Sequence, residues 1–163
     1  MPVCVTSEIG SLKRVLLQRP GRELEHLSPN TMEQLLFDDI PYLYGAQQEH
    51  DCFAEILRGC GAEVVYLEDL MAEALDTDPA LREKFLDQWI YEAGIRTDMY
   101  HDIITDYIES NYPNTKDMVM KTMAGINLQE LPQQHTNLLV DMVSDRTKLV
   151  CAPMPNLYFT RDP

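Results

Sequence analysis

No stretch of the 163-residue chain is apolar over the roughly 20 residues that a helix needs to span a bilayer. Basic side chains are scarce as well. The 13 Lys and Arg stand against 27 Asp and Glu, a formal net charge of -14. Without clustered Lys and Arg there is no electrostatic grip on nucleic acid or on an anionic membrane, so neither is an expected partner. The surplus of carboxylates suits a small cationic ligand. Met1 to Gly10 holds neither the basic residues nor the apolar core of a secretory signal, and the expected location is cytoplasmic. Cysteine is sparse: Cys4, Cys52, Cys60 and Cys151 form no CxxC pair and have no histidine at zinc-finger spacing. Buried free thiols are the expectation. His50 and Cys52, two apart on a helix, point to opposite sides, so no metal site is expected.

What is present reads as a single α/β domain with an average share of apolar and charged residues. Leu12 to Gln18 contains the run Val15-Leu16-Leu17, stopped by the turn Arg19-Pro20-Gly21, and predicts a first strand. Ser28-Pro29 predicts a helix start running towards Phe37. From about Leu43, the spacing of Ala46, His50, Phe53, Leu57 and Cys60 predicts a helix with one buried stripe, stopped by a left-handed Gly61. Ala62 to Leu67 then predicts a second strand, and the crossover is long enough for parallel pairing.

The middle of the chain reads as helical. Asp78-Pro79 opens one helix, through Trp89 and Ile90 to about Gly94. Asp98 to Ser110 forms the next, with Met99, Ile103, Ile104, Tyr107 and Ile108 on its apolar side. Tyr112-Pro113 breaks it, and Thr115 opens a third that stops near Gly125. Lys148 to Ala152 resumes a β-like run. The expected organisation is residues 1–72 as an α/β segment, 73–147 as a helical insertion and 148–163 as a return to the α/β part.

Three groups carry chemical interest. Asp38 and Asp39 sit side by side in the apolar run Leu35 to Pro41, where one of them is expected to brace a turn. Glu49-His50-Asp51 lies on the long helix, and a packed, hydrogen-bonded core role for His50 is favoured over that of a catalytic base. The third is Met154-Pro155-Asn156-Leu157-Tyr158-Phe159-Thr160-Arg161-Asp162-Pro163. Extended backbone would place Asn156, Tyr158, Thr160 and Asp162 on one face and Leu157, Phe159 and Arg161 on the other. Pro163 restricts Asp162 to extended backbone.

Several separated blocks give a resemblance: Ser7-Glu8-Ile9-Gly10 with Leu12-Lys13, Val15-Leu16-Leu17 with Arg19-Pro20-Gly21, Leu35 to Pro41, Glu49-His50-Asp51, and Pro153 to Pro163. In this order they resemble the N-terminal part of the arginine deiminase family. The resemblance implies a five-bladed α/β propeller of pentein type with an inserted helical subdomain. It implies hydrolysis of L-arginine to L-citrulline and ammonia through a cysteine thiouronium intermediate, without metal or organic cofactor. It also implies roles for four residues. Asp162 would clamp the guanidinium, Asn156 would lie near the amino-acid end of the substrate, Phe159 would form a pocket wall, and Leu36 would supply a backbone contact.

The family's nucleophilic cysteine and general acid/base histidine come later than Pro163. None of the four cysteines, and not His50, stands in their context. The expectation is one side of a pocket, inactive by itself, with uncovered strand edges that favour self-association into a homo-oligomer. A non-catalytic binding or assembly module derived from the same family is the alternative.

Overall fold

The computed structural model describes residues 5, 7, 9–32, 35, 37–132 and 148–157. Strand β1 (Arg14–Leu17) pairs in parallel with β2 (Glu63–Tyr66), in the register Arg14↔Glu63 to Leu17↔Tyr66. The crossover between them contains a 3-10 turn (Arg22–His26), the short helix α1 (Pro29–Met32) and the long helix α2 (Leu43–Gly59). The expected parallel pair is therefore present. Helix α2 ends as Gly61 predicts. Gly61 adopts φ +86°, its N–H bonds Arg58 O at 2.9 Å, and the Ala62 N–H bonds Leu57 O at 3.1 Å. These two bonds satisfy carbonyls that the helix end would otherwise leave open.

Helix α1 is one turn long among the described residues, and beyond it the Leu35 N–H still bonds Thr31 O at 3.0 Å. Two expectations for this part need correction. The stripe along α2 is only partly covered: Phe53 is 51% exposed and Cys60 is exposed, while the buried residue of the helix is Ala54. A sheet two strands wide, with strands about 4.8 Å apart, is narrower than the helix of roughly 10 Å that lies on it. Of the described cysteines only Cys151 is buried, since Cys52 is exposed too. Cys4 lies outside the described residues.

Helix α3 (Leu67–Leu75) follows β2 directly, and α4 (Pro79–Glu92), α5 (Asp98–Asn111) and α6 (Thr115–Ala124) complete the helices. Asp78 caps α4 by accepting the Ala80 N–H at 3.0 Å, with Pro79 at the first helical position. Asn114 caps α6, accepting from Lys116 at 2.9 Å and Asp117 at 3.2 Å. The main core lies between these helices, centred on Ile90, Ile104, Ile108 and Met118, all fully buried. Met99, expected on the apolar side of α5, is 44% exposed instead.

After α6 the chain turns at Gly125 (φ +76°) into the two-residue strand β3 (Ile126–Asn127), which pairs antiparallel with β4 (Leu149–Cys151). A Cβ at Gly125 would stand 2.6 Å from Cys151 O and 2.7 Å from Pro153 N. Only glycine lets β4 pass so close. Beside this contact a half-buried polar network joins four elements. The Lys121 ammonium pairs with Glu130 Oε2, and the Tyr107 hydroxyl donates to the same oxygen at 3.1 Å. Glu130 Oε1 accepts the Asn127 N–H at 3.0 Å, and the His26 ring holds Ala124 O. Among the described residues, no helix is long and apolar enough to cross a membrane.

Candidate functional site

The turn after β1 is held by α2. Arg19 donates from Nε and Nη2 to the two carboxylate oxygens of Asp51, each at 2.8 Å, and Gln47 Nε2 donates to Pro20 O at 2.9 Å. A planar guanidinium meets a carboxylate best in this two-pronged form. The Arg19 hydrogen bond is the main reason that the Asp51 carboxyl lies below its ordinary range. Two of the recognised sequence blocks, Arg19-Pro20-Gly21 and Glu49-His50-Asp51, are thus one physical unit. Spacing could not announce this, because the partners are 32 residues apart.

His50, between Glu49 and Asp51, has a side chain only 12% exposed, and its ring lies 5.9 Å from that of Tyr66. The expected packing is present and the expected hydrogen bonding is not. Neither ring nitrogen has a hydrogen-bond partner among the described residues, and Nδ1 stands 3.8 Å from Asp51 Oδ1. Burial lowers its pKa from the ordinary value, against the pull of Asp51.

In the Leu35 to Pro41 loop, Asp39 Oδ1 accepts the Ile40 N–H at 2.8 Å, which is the turn-bracing role expected of this pair. Asp38 and Asp39 are both exposed. The return segment reaches the same loop. Met154 N–H bonds Met123 O at 2.8 Å, Pro153 and Pro155 are buried, and Asn156 Nδ2 donates to Leu35 O at 2.9 Å. Pro155 to Leu157 form a turn, so the alternation of faces expected from Asn156 onwards does not begin there. Pro155 fixes one backbone angle and the Asn156 side chain bonds backwards across the chain, and both favour a turn over an extended start.

Asn156 is the one expected site residue among the described residues. Leu36, Phe159 and Asp162 lie outside them, as does the remainder of the expected extended stretch. The carbonyl that Asn156 meets is that of Leu35, a contact that sequence reasoning did not anticipate. Cys151, just before this segment, is buried, and burial pushes its thiol up to about 12. Such a thiol stays protonated and makes a poor nucleophile. No group of three or more His, Cys, Asp or Glu arranged to hold a metal ion occurs among the described residues.

Fold and site together define a mixed α/β chain in which a segment returning from a helical region is fastened by an asparagine amide to an early loop. Among known proteins, residues 33–163 match the family model described as arginine deiminase. The chain is 52% identical to an arginine deiminase of Treponema denticola over 159 residues, 98% of this chain and 38% of that protein. It is 50% identical to one of Clostridium perfringens over 159 residues, again 98% of this chain and 38% of that protein. A third, from Borrelia duttonii, is 49% identical over 162 residues, 99% of this chain and 39% of that protein. The chain belongs to the arginine deiminase family. It spans about two-fifths of the length of these curated relatives.

Proposed function

We propose that this chain is the N-terminal part of an arginine deiminase, a cytoplasmic hydrolase that converts L-arginine to L-citrulline and ammonia. In this reading residues 1–72 and 148–163 belong to a five-bladed propeller of pentein type, and residues 73–147 are its helical insertion. Asp162 grips the substrate guanidinium, Asn156 stands near its amino-acid end, Phe159 walls the pocket, and the backbone at Leu36 completes that side. The rest of the enzyme supplies a cysteine thiolate and a general acid/base histidine. No cofactor enters the reaction, and the assembly is a homo-oligomer.

The chemistry sets the demand on these residues. Arginine stays protonated at any working pH, so a site that buries its guanidinium must supply carboxylates. A carboxylate that takes two of its donors also fixes where the central carbon lies, in line with the attacking sulfur. The thiolate adds to that carbon and ammonia leaves. Water then displaces the sulfur from the thiouronium intermediate, giving citrulline and regenerating the thiol.

The observation that carries the reading is the 2.9 Å hydrogen bond from Asn156 Nδ2 to Leu35 O. It joins the two sequence blocks from which the four proposed site positions come. The test is citrulline release from an enzyme extended to the length of its relatives, with and without Asp162→Ala. Removing one partner of a buried ion pair costs about 3–5 kcal/mol, and misplacing the reacting carbon costs further rate. Turnover should therefore be abolished. A near-normal kcat in Asp162→Ala would sink the assignment. The 163-residue chain by itself should release no citrulline, and thiol-sensitive release from it would make one of its own cysteines the nucleophile.

A further inference from the structure

The amide of Asn156 stands on a firm mount. The Met154 N–H bonds Met123 O at 2.8 Å near the end of α6, and Pro155 is fully buried. Met154 and Leu157, on either side of Pro155 and Asn156, pack against the helical core. What the amide holds has less support. The Leu35 N–H bonds Thr31 O at 3.0 Å and the Phe37 N–H bonds Met32 O at 2.9 Å, both back to α1. Asp38, Asp39 and Ile40 are exposed, and Asp39 braces only the next N–H, that of Ile40. Among the described residues, the Asn156 bond is the one hydrogen bond that reaches Leu35 to Ile40 from beyond α1 and the loop itself.

A carbonyl oxygen and the N–H of the following residue belong to one rigid, planar peptide unit. Leu35 is held by its own N–H on one side and by its C=O on the other. The two bonds together fix its backbone and the course on which the chain leaves it. The residue that follows is Leu36, to which the proposed site gives a backbone contact. A side-chain amide carries two N–H donors and an accepting oxygen, and Asn156 spends one donor on Leu35 O. The same side chain can therefore hold the loop and still meet a substrate.

We propose that Asn156 is a positioning residue, which sets the course of the backbone at Leu36 through the carbonyl of Leu35. A single amide carries the rigidity of the helical core into one side of the pocket. The role rests on the reading of Leu36 as a backbone contact to arginine, and it is separate from any contact that Asn156 itself makes with substrate. Loss of the amide leaves arginine bound but poorly placed, and the effect falls on kcat more than on KM.

The test uses an enzyme of the relatives' length and compares it with two variants. Asn156→Asp keeps the shape of the side chain but replaces both donors by an oxygen, and Asn156→Ala removes the group. Amide hydrogen exchange is followed first, without substrate. The Leu35 and Phe37 amides should exchange about fivefold faster in both variants, as expected for loss of one ordinary hydrogen bond. The amides of α5 and α6 should keep their rates, which shows that the fold is intact. Kinetics with L-arginine follow, where kcat should fall about tenfold or more with KM changed far less. Unchanged exchange at Leu35 and Phe37 overturns the proposal and leaves the proposed activity untouched. Faster exchange with kcat kept and only KM raised overturns it too, since Asn156 then acts on substrate alone. An unsubstituted enzyme that releases no citrulline overturns the proposed activity, and this role with it.

Discussion

The ammonium of Lys121 and the carboxylate of Glu130 form an ion pair beneath the Tyr107 hydroxyl, with the lysine side chain only 5% exposed. Burial works against the charge on Glu130. The Lys121 hydrogen bond and the Asn127 N–H outweigh it and hold this carboxyl below its ordinary value. Glu130→Ala leaves the ammonium buried without its partner and should cost about 3 kcal/mol in chemical denaturation. Because the folded value is depressed, the pair's contribution is full above the unfolded carboxylate value and is lost as pH falls through the folded one. The acid side of the stability profile should flatten in Glu130→Ala.

Gly125→Ala should be among the more damaging small substitutions. Its backbone is left-handed, and the added Cβ would meet Cys151 O at 2.6 Å. Strain of this kind costs about 1–3 kcal/mol before the clash with β4 is counted. A chain of this size loses roughly 2–4 °C in Tm per kcal/mol, so calorimetry should record a fall of several degrees. An unchanged Tm would mean that β4 does not run against Gly125.

His50 gives the opposite pH signature from an exposed histidine. Its folded pKa is depressed by burial, so below the ordinary histidine value the unfolded chain binds the proton more readily. Stability should therefore fall as pH drops from about 7 towards 5, the range in which an unperturbed histidine titrates. His50→Phe should remove that slope while keeping the packing against Tyr66. Thermal melts across this range check it, and a slope that persists in the variant would place its origin elsewhere.

The cysteines should divide by reactivity. Cys52 and Cys60 are exposed, whereas Cys151 is buried with its thiol pushed up to about 12. Iodoacetamide at neutral pH should label the first two and spare Cys151 until denaturant is added. Mass spectrometry of the peptides reads this directly. Rapid labelling of Cys151 in the native chain would contradict its place in the core.

Much of this architecture was legible because local chemistry announces itself. Pro79 behind Asp78 starts a helix wherever it stands, and Gly61 stops one. The parallel β1–β2 pair followed from two apolar runs and a crossover of sufficient length. What was not legible depends on contacts between distant residues. Helix α3 begins at Leu67 with no loop or cap to mark it, and β3 is two residues long, too short to carry a period. The exposure of Phe53 was hidden because helical spacing marks a stripe and says nothing of how wide a surface will cover it. Of the expected site residues only Asn156 lies among the described residues, and its bond to the Leu35 carbonyl was not legible in the sequence, because a backbone carbonyl leaves no trace in the side chains.

The hydrogen bond from Asn156 to Leu35 spans 121 positions of the chain. The entropy of closing so long a loop grows only with the logarithm of its length, and doubling the loop adds about 0.6 kcal/mol. Helices α2 to α6 all lie inside it. Lengthening an exposed connection between two of them would therefore add little to the entropic cost of the fastening, as long as the helices keep their packing. Insertions at the exposed turns between these helices, such as around Thr77 or Arg96, should be tolerated with the Asn156–Leu35 contact intact.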